Sequence, residues 1–146
     1  MDINHVLIVD DNENMLNALN RLLKVYFKNK EAADNLILTA SSVGEAITIL
    51  NKTPSVMIVI TDIMMPEIDG IDFLRYITHE LRRGIQVIMM TGQSTMSRAL
   101  DSLRNGAVDY LTKPFDVETL DDVMDKTITR LEKWEKIIRG DIPGCS

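Results

Sequence analysis

The sequence predicts a doubly wound α/β domain, in which helices cover both faces of one parallel sheet. Two observations indicate this class: strand-like and helix-like patterns alternate along the chain, and Val56 to Ile60 (VMIVI) is apolar without alternation. Alternation is typical of βαβ units, whose right-handed crossovers place helices on both faces. A continuous apolar strand is typical of the centre of such a sheet. The length, 146 residues, predicts one domain with a hydrophobic core.

Five short apolar segments bounded by turn or polar residues are predicted to be the strands. They are Val6 to Val9, Asn35 to Ala40, Val56 to Ile60, Val87 to Met90 and Val108 to Leu111. The polar link KNKEAADN, residues 28–35, is longer than the few residues typical of such connections, so we expect the first helix to continue into it.

Apolar residues that recur three and four positions apart predict the helices between these strands. The stripes are Met15, Leu16, Leu19, Leu22, Leu23, Tyr26 and Phe27 in the first helix, Ile71, Leu74, Ile77 and Leu81 in the third, and Met96, Leu100 and Leu103 in the fourth. Ser42 followed by Glu45 predicts a capping box at the start of the second helix, and Asp116 predicts a cap on the fifth.

The final helix is predicted to run from Val117 to Arg139, because neither glycine nor proline interrupts it. At about 1.5 Å per residue it is about 35 Å long, more than a domain of this size needs to cover its sheet. Core packing explains its apolar stripe up to Ile128. The apolar residues beyond are Leu131, Trp134, Ile137 and Ile138. We predict a domain over residues 1–130 and an extension over residues 131–146, which contacts a second copy or continues toward an output domain.

Composition excludes several classes of function. The 16 basic and 22 acidic residues give a net charge of −6 and a pI near 4.9, which opposes attraction to a phosphate backbone, so direct nucleic-acid binding is not expected. The first residues form no signal peptide, and no apolar run approaches the roughly 20 residues that span a bilayer, so we expect a cytoplasmic protein without membrane contact. The single cysteine, Cys145, cannot form an internal disulfide.

Polar side chains are predicted to collect at one edge of the sheet. The first strand is followed by Asp10 and Asp11, the third by Asp62, the fourth by Thr91 and the fifth by Lys113. In open α/β sheets, the carboxyl ends of the strands form the crevice where ligands bind. Each residue alone has an ordinary explanation as a helix cap, a turn residue or a solvated side chain. Together, converging carboxylates repel one another and raise their own pKa values unless a cation compensates.

Mg²⁺ suits this set because it takes oxygen ligands, often from only one or two carboxylates, and keeps positions for water and phosphoryl oxygens. Three aspartates and a lysine therefore indicate phosphoryl chemistry, in which metal and ammonium neutralise the oxygens while a carboxylate attacks phosphorus. Asp62 is the predicted nucleophile because it ends the central strand.

Four motifs lie at the predicted strand ends: VDDN at 9–12, ITDIMMPEIDG at 60–70, MTG at 90–92 and DYLTKPFD at 109–116. Together they resemble the receiver domain of two-component response regulators, the CheY-like superfamily, over about residues 4 to 130. The resemblance implies a flavodoxin-like three-layer fold with five parallel strands in the order 2-1-3-4-5. It also implies a phospho-accepting signalling protein rather than an enzyme, with Mg²⁺ as cofactor and a sensor histidine kinase or a phosphotransfer protein of a phosphorelay as donor.

The resemblance also implies a role for each residue of the acidic cluster. Asp62 would accept the phosphoryl group. Asp11 and Asp62 would bind Mg²⁺ directly together with the backbone carbonyl of Met64, and Asp10 would bind it through water. Lys113 would pair with a phosphoryl oxygen.

Further residues would read out the phosphoryl group. Thr91 and the amide of Gly92 would bind its oxygens, and Tyr110 would turn into the space that Thr91 leaves. The face of helix 4, strand 5 and helix 5 would thereby change and control an output domain or partner. A homodimer would form through this face or through the final helix. The Lys113-Pro114 peptide bond is cis in such domains. Many receivers carry alanine at Gly92, and Met64 and Gln93 stand at variable positions that tune dephosphorylation.

Two other classes remain as alternatives. A pseudo-receiver acts as an interaction module without phosphorylation, but it would normally have lost a carboxylate or the lysine. A hydrolase of the haloacid dehalogenase kind would need an aspartate two residues after Asp10, where this chain has Asn12. Flavin binding is disfavoured because an acidic crevice repels the phosphate of the cofactor.

Overall fold

The computed structural model describes residues 5–30, 36–92 and 96–140. Strands and helices alternate in the order β1 (His5–Val9), α1 (Glu13–Asn29), β2 (Leu36–Ala40), α2 (Val43–Lys52), β3 (Val56–Asp62), α3 (Gly70–Arg75), β4 (Gln86–Thr91), α4 (Ser97–Arg104), β5 (Asp109–Thr112) and α5 (Val117–Arg139). A π-helical segment, Tyr76–Leu81, continues α3 directly. Asn35, Gln93 and the tail after Gly140 lie outside the described residues. Within the described ranges, no helix is both long and apolar enough to cross a membrane.

All strand pairs are parallel and form one sheet in the order β2-β1-β3-β4-β5. The predicted fold class and strand order are therefore confirmed. Strand order reverses between β1 and β3, where Val9 pairs with Thr61. The next residues, Asp10 after β1 and Asp62 at the end of β3, consequently lie side by side at the carboxyl edge of the sheet.

The two faces of the sheet carry separate hydrophobic cores. Alternate residues of β1 point to opposite sides, so Val6 and Ile8 pack against α1 and α5, whereas Leu7 and Val9 pack against α2 and α3. The middle strand, β3, is buried on both faces, as its continuous apolar sequence predicted. Packing on both faces fixes the positions of the strand ends. The polar side chains lie in the loops at the carboxyl edge of the sheet.

Side-chain caps determine where several helices begin. The hydroxyl of Ser42 accepts the amide of Glu45 at 3.1 Å, and Asp116 accepts that of Thr119 at 2.8 Å, as the sequence predicted. The other half of the predicted capping box differs, because the Glu45 carboxylate accepts the amide of Ser41 at 3.1 Å rather than that of Ser42. Asn12 caps α1 by accepting two amides of its first turn. Each cap satisfies an amide that has no intrahelical partner.

The fourth helix is present, but Met96, Leu100 and Leu103, whose spacing predicted it, do not form its buried side. Their exposed fractions are 42%, 62% and 38%, and α4 instead buries Ala99 and Ser102. The small side chains let the helix lie close to β4, and the Ser102 hydroxyl donates to the carbonyl of Arg98 at 3.1 Å. The larger apolar residues therefore form an unpartnered surface on the described part of the domain.

The final helix has the predicted bounds and ends at Gly140 in the left-handed conformation. One expectation about it is wrong: Leu131 is only 5% exposed and belongs to the core formed with α1. Trp134 and Ile138, in contrast, are 54% and 82% exposed, as expected for an extension. The core thus reaches to Leu131, about one helical turn further than predicted.

The loop between β3 and α3 packs tightly at Gly70. The Gly70 amide donates to the carbonyl of Ile63 at 2.8 Å, and a methyl group at Gly70 would meet the carbonyl oxygens of Asp62 and Ile63 at 2.5 and 2.6 Å. These are backbone atoms that cannot move aside independently of β3. A residue without a side chain is therefore required here.

Gly70→Ala is expected to lower the free energy of unfolding by about 1–3 kcal/mol, because the new methyl group pushes the loop away from the end of β3. The measurement is urea unfolding followed by circular dichroism. Gly44→Ala is the control: Gly44 lies in α2, and apart from its chain neighbours and the nearby backbone of its own helix nothing lies within 4 Å of an added methyl group, so we expect a gain in the free energy of unfolding of about 0.4–1 kcal/mol. Equal stability of Gly70→Ala and the wild type would contradict this account of the loop.

Candidate functional site

Three predicted carboxylates come together at the carboxyl edge of the sheet. Asp10 and Asp11 follow β1, Asp62 ends β3, and one carboxylate oxygen of each lies within 4.8 Å of those of the other two. Asp10 is fully buried, Asp62 is partly buried and Asp11 is exposed. The cluster is thus open to solvent on the side of Asp11.

Lys113 reaches this cluster from the end of β5. Its Nζ lies 2.7 Å from Oδ2 of Asp62 and 3.2 Å from Oδ2 of Asp10. The backbone amide of Lys113 donates to the carbonyl of Thr91 at 2.7 Å, which ties this segment to the end of β4. The Lys113-Pro114 peptide bond is cis. One ammonium group therefore bridges two carboxylates from distant parts of the chain.

Backbone amides hold the other oxygens of the two carboxylates that Lys113 bridges. The Asn12 amide donates to Oδ1 of Asp10 at 2.9 Å, and the Met64 amide donates to Oδ1 of Asp62 at 3.1 Å. Each carboxylate is thus oriented by an amide on one oxygen and by Lys113 on the other. Fixed donors of this kind need no reorganisation when charge develops nearby.

The electrostatic balance of the cluster is unfavourable without a further cation. Burial raises the pKa of Asp10, against the hydrogen bond from Asn12 and the attraction of Lys113. Burial alone would lower the pKa of Lys113, but its hydrogen bond to Asp62 and the charges of Asp62 and Asp10 outweigh this effect and raise it. Lys113 is therefore charged at neutral pH. Among the described residues, three carboxylates are grouped here, and the Lys113 ammonium contacts two of them.

The donor set fits Mg²⁺. Each of the grouped side chains offers a carboxylate oxygen, the hard ligand that this ion prefers. The excess of negative charge and the burial of Asp10 favour binding of a divalent cation, and the exposure of Asp11 leaves a route of entry.

Of the predicted readout residues, Thr91 lies at the carboxyl edge of the sheet, whereas Tyr110 lies within β5, opposite Met89. Thr91 ends β4 and is fully buried, and its hydroxyl donates to the Gly92 carbonyl at 3.1 Å among its contacts. Since Asp62 pairs with Met90, Thr91 lies at the same edge of the sheet as Asp62. Tyr110 is partly buried on β5 and packs against the core that lies under α2 and α3. Thr91 thus shares the edge of the sheet with Asp62, and Tyr110 lies two residues before the end of the neighbouring strand β5.

Sequence analysis missed Arg98. Its guanidinium extends from α4 to the loop after β3, where it forms an ion pair with Asp69 and lies 3.4 Å from the Met64 sulfur. Asp69 also caps α3 by accepting the amide of Ile71 at 2.9 Å. The sequence shows the cap, because aspartate precedes Gly70 at the start of a helix, but it contains no signal for the partner on α4.

A family model described as the response regulator receiver domain matches residues 6–125 of the chain. The chain belongs to this family. The resemblance that the four sequence motifs indicated is thereby confirmed. Receiver domains of response regulators accept a phosphoryl group from histidine kinases and bind Mg²⁺ at an acidic cluster, which corresponds here to Asp10, Asp11 and Asp62. The family acts in signalling and is generally not enzymatic.

Two curated relatives and one solved structure illustrate the similarity. The chain is 33% identical over 138 residues to the regulatory protein AtoC of Escherichia coli, covering 94% of this chain and 28% of that protein. It is 35% identical over 132 residues to the transcriptional regulatory protein FlgR of Helicobacter pylori, covering 90% of this chain and 31% of that protein. The chain therefore spans less than a third of the length of either relative. A crystal structure of a response regulator receiver domain protein from Clostridium thermocellum has a TM-score of 0.79 and 30% identity, covering 90% of this chain and 98% of that one.

Asp11→Ala is expected to weaken Mg²⁺ binding by at least about tenfold, because it removes an exposed oxygen ligand from the cluster. The free energy of unfolding of the metal-free receiver domain should stay equal or rise, since a carboxylate that faces two others is removed. Isothermal titration calorimetry measures the first quantity and urea unfolding the second.

The control for this variant is Glu13→Ala, which removes a neighbouring carboxylate in the first turn of α1 that does not belong to the cluster. The Mg²⁺ affinity of Glu13→Ala should equal that of the wild type. An Asp11→Ala receiver that binds Mg²⁺ like the wild type would refute the assignment of this ligand.

Proposed function

We propose that Asp62 accepts a phosphoryl group, in the presence of Mg²⁺, from a phosphohistidine of a sensor histidine kinase or a phosphotransfer protein. The observation that carries this proposal is the position of the Asp62 carboxylate, between the Met64 amide and the Lys113 ammonium and beside Asp10 and Asp11. A cytoplasmic location is part of the proposal, because phosphohistidine in such kinases is formed from ATP.

In the transfer step, a carboxylate oxygen of Asp62 attacks phosphorus and forms the acyl phosphate. The phosphorus-nitrogen bond of the donor breaks, and its electron pair stays on the imidazole nitrogen. The ring leaves as neutral imidazole when its other nitrogen carries a proton. No oxidant or further reactant is needed, so the protein contributes position and charge.

Lys113 neutralises the charge that arrives with the phosphoryl group. Its ammonium lies 2.7 Å from Asp62, so it can pair with a phosphoryl oxygen with little movement. The Thr91 hydroxyl and the Gly92 amide supply further donors at the same edge. Bound Mg²⁺ would be held by Asp11, Asp62 and the Met64 carbonyl, with Asp10 acting through water, and would supply positive charge opposite the phosphoryl oxygens.

Phosphorylation also controls the surface formed by α4, β5 and α5. A phosphoryl group adds about 1.5–2 negative charges and new acceptor oxygens, which attract the Thr91 hydroxyl and leave space for Tyr110 to turn inward. The exposure of Met96, Leu100 and Leu103 supports a role for this surface in binding, since large apolar side chains lie there without cover.

The surface of α4, β5 and α5 contacts an output domain, a separate partner or a second copy of the receiver. The alternative dimer contact is the end of α5, where Trp134 and Ile138 are exposed. Both faces bring exposed apolar area to an interface.

Asp62→Asn is expected to abolish labelling by phosphoramidate in Mg²⁺, because an amide oxygen is too weak a nucleophile to attack phosphorus. Intact-protein mass spectrometry should show one phosphoryl group on the wild type, removable by hydroxylamine, and none on the variant. Asp72→Asn, which alters an exposed carboxylate of α3, is the control and should be labelled like the wild type.

Stoichiometric labelling of Asp62→Asn would exclude Asp62 as the acceptor. A wild-type receiver that stays unlabelled by phosphoramidate and by kinases would favour the pseudo-receiver, an interaction module that acts without phosphorylation.

A further inference from the structure

The loop that follows Asp62 determines where the Met64 backbone lies. Its amide donates to Asp62, and its carbonyl is the proposed metal ligand. Glu67, in the same loop, has a φ of 70°, in the left-handed region, where a residue with a side chain is strained. A loop that contains such a residue keeps its shape only if contacts from outside hold it.

Arg98 makes these contacts near both ends of the loop. One guanidinium nitrogen forms the ion pair with Asp69, and another lies 3.4 Å from the Met64 sulfur. The planar guanidinium can hold two groups at once, which a lysine ammonium on a flexible stem does less well. Because the Arg98 side chain is 29% exposed, this ion pair is less screened by solvent than a fully exposed one.

The other basic residue of α4 provides a contrast. Arg104 pairs with Asp101 of the same helix at 3.8 Å, and its side chain is 76% exposed. This is a surface ion pair within one helix, of the kind that contributes little to stability. Arg98 instead connects α4, which follows Thr91 in the chain, to the loop that follows Asp62.

We propose that Arg98 is a positioning residue for the phosphoryl-transfer site. Held by Asp69, its side chain keeps the Met64 segment in the position where the backbone amide faces Asp62 and the carbonyl is available to Mg²⁺. The part of this inference that concerns the metal and phosphorylation rests on the proposed function, whereas the effect on the Met64 amide does not.

The test uses three variants of the full chain. Arg98→Ala removes the guanidinium, and Asp69→Asn removes its charged partner while keeping the cap on α3, since asparagine caps helices as well as aspartate does. Arg104→Ala is the control. Water-exchange NMR of the metal-free protein should show the Met64 amide exchanging several-fold faster in the first two variants and unchanged in the third.

Calorimetry should show that Arg98→Ala weakens Mg²⁺ binding by about tenfold, the lower end of what supporting contacts around metal ligands contribute. Labelling of Asp62 by phosphoramidate should then be slow at low Mg²⁺ and recover toward the wild-type rate at saturating Mg²⁺. A variant that combines Arg98→Ala with Asp69→Asn should bind Mg²⁺ no more weakly than Arg98→Ala alone, because both substitutions break the same contact.

The inference is overturned if Arg98→Ala leaves both the Met64 amide exchange and the Mg²⁺ affinity as in the wild type, even if the variant is less stable. Additive effects in the double variant would also overturn it. Failure of the proposed function would give a different result from failure of this inference. Wild-type protein would then not be labelled on Asp62, but the Met64 amide of metal-free protein would still exchange faster in Arg98→Ala than in the wild type.

Discussion

The bridge that the Lys113 ammonium forms between Asp10 and Asp62 is the interaction on which this structure depends. Parallel pairing of β1 and β3 places their terminal carboxylates side by side, one of them fully buried, and like charges in such a place oppose folding. Lys113 compensates only part of this charge, because Asp11 belongs to the same cluster. The receiver thus keeps an electrostatic imbalance at one edge, which a divalent cation can relieve.

The site combines a rigid scaffold with loops that each supply one donor. The sheet holds the strand ends between two cores, and the loops after β1 and β3 contribute the amides of Asn12 and Met64. Gly70 lets the second loop pack against the end of β3, and Arg98 connects this loop to α4. Met64 thus lies between Asp62 and α4: its backbone amide donates to Asp62, and its sulfur lies 3.4 Å from a guanidinium nitrogen of Arg98.

Two helices of this receiver direct apolar residues away from the core. On α4 the buried side chains are small, and the large apolar side chains face outward. On α5 the buried residues end at Leu131, whereas Trp134 and Ile138 are exposed. Both arrangements cost solvation free energy in the isolated domain. They are consistent with a signalling module that needs surfaces for other domains or copies.

The sequence by itself determined the class of fold, most element positions, the caps at Ser42 and Asp116 and the family, because periodicity, capping and short motifs are local in the chain. It also identified the carboxylates and the lysine, since each ends a strand and parallel strands end at one edge. Tertiary structure alone decided that the stripe of α4 faces solvent, that Leu131 is buried and that Arg98 reaches Asp69. Periodicity shows which residues share a helix face, but burial and ion pairing depend on what other segments place against that face.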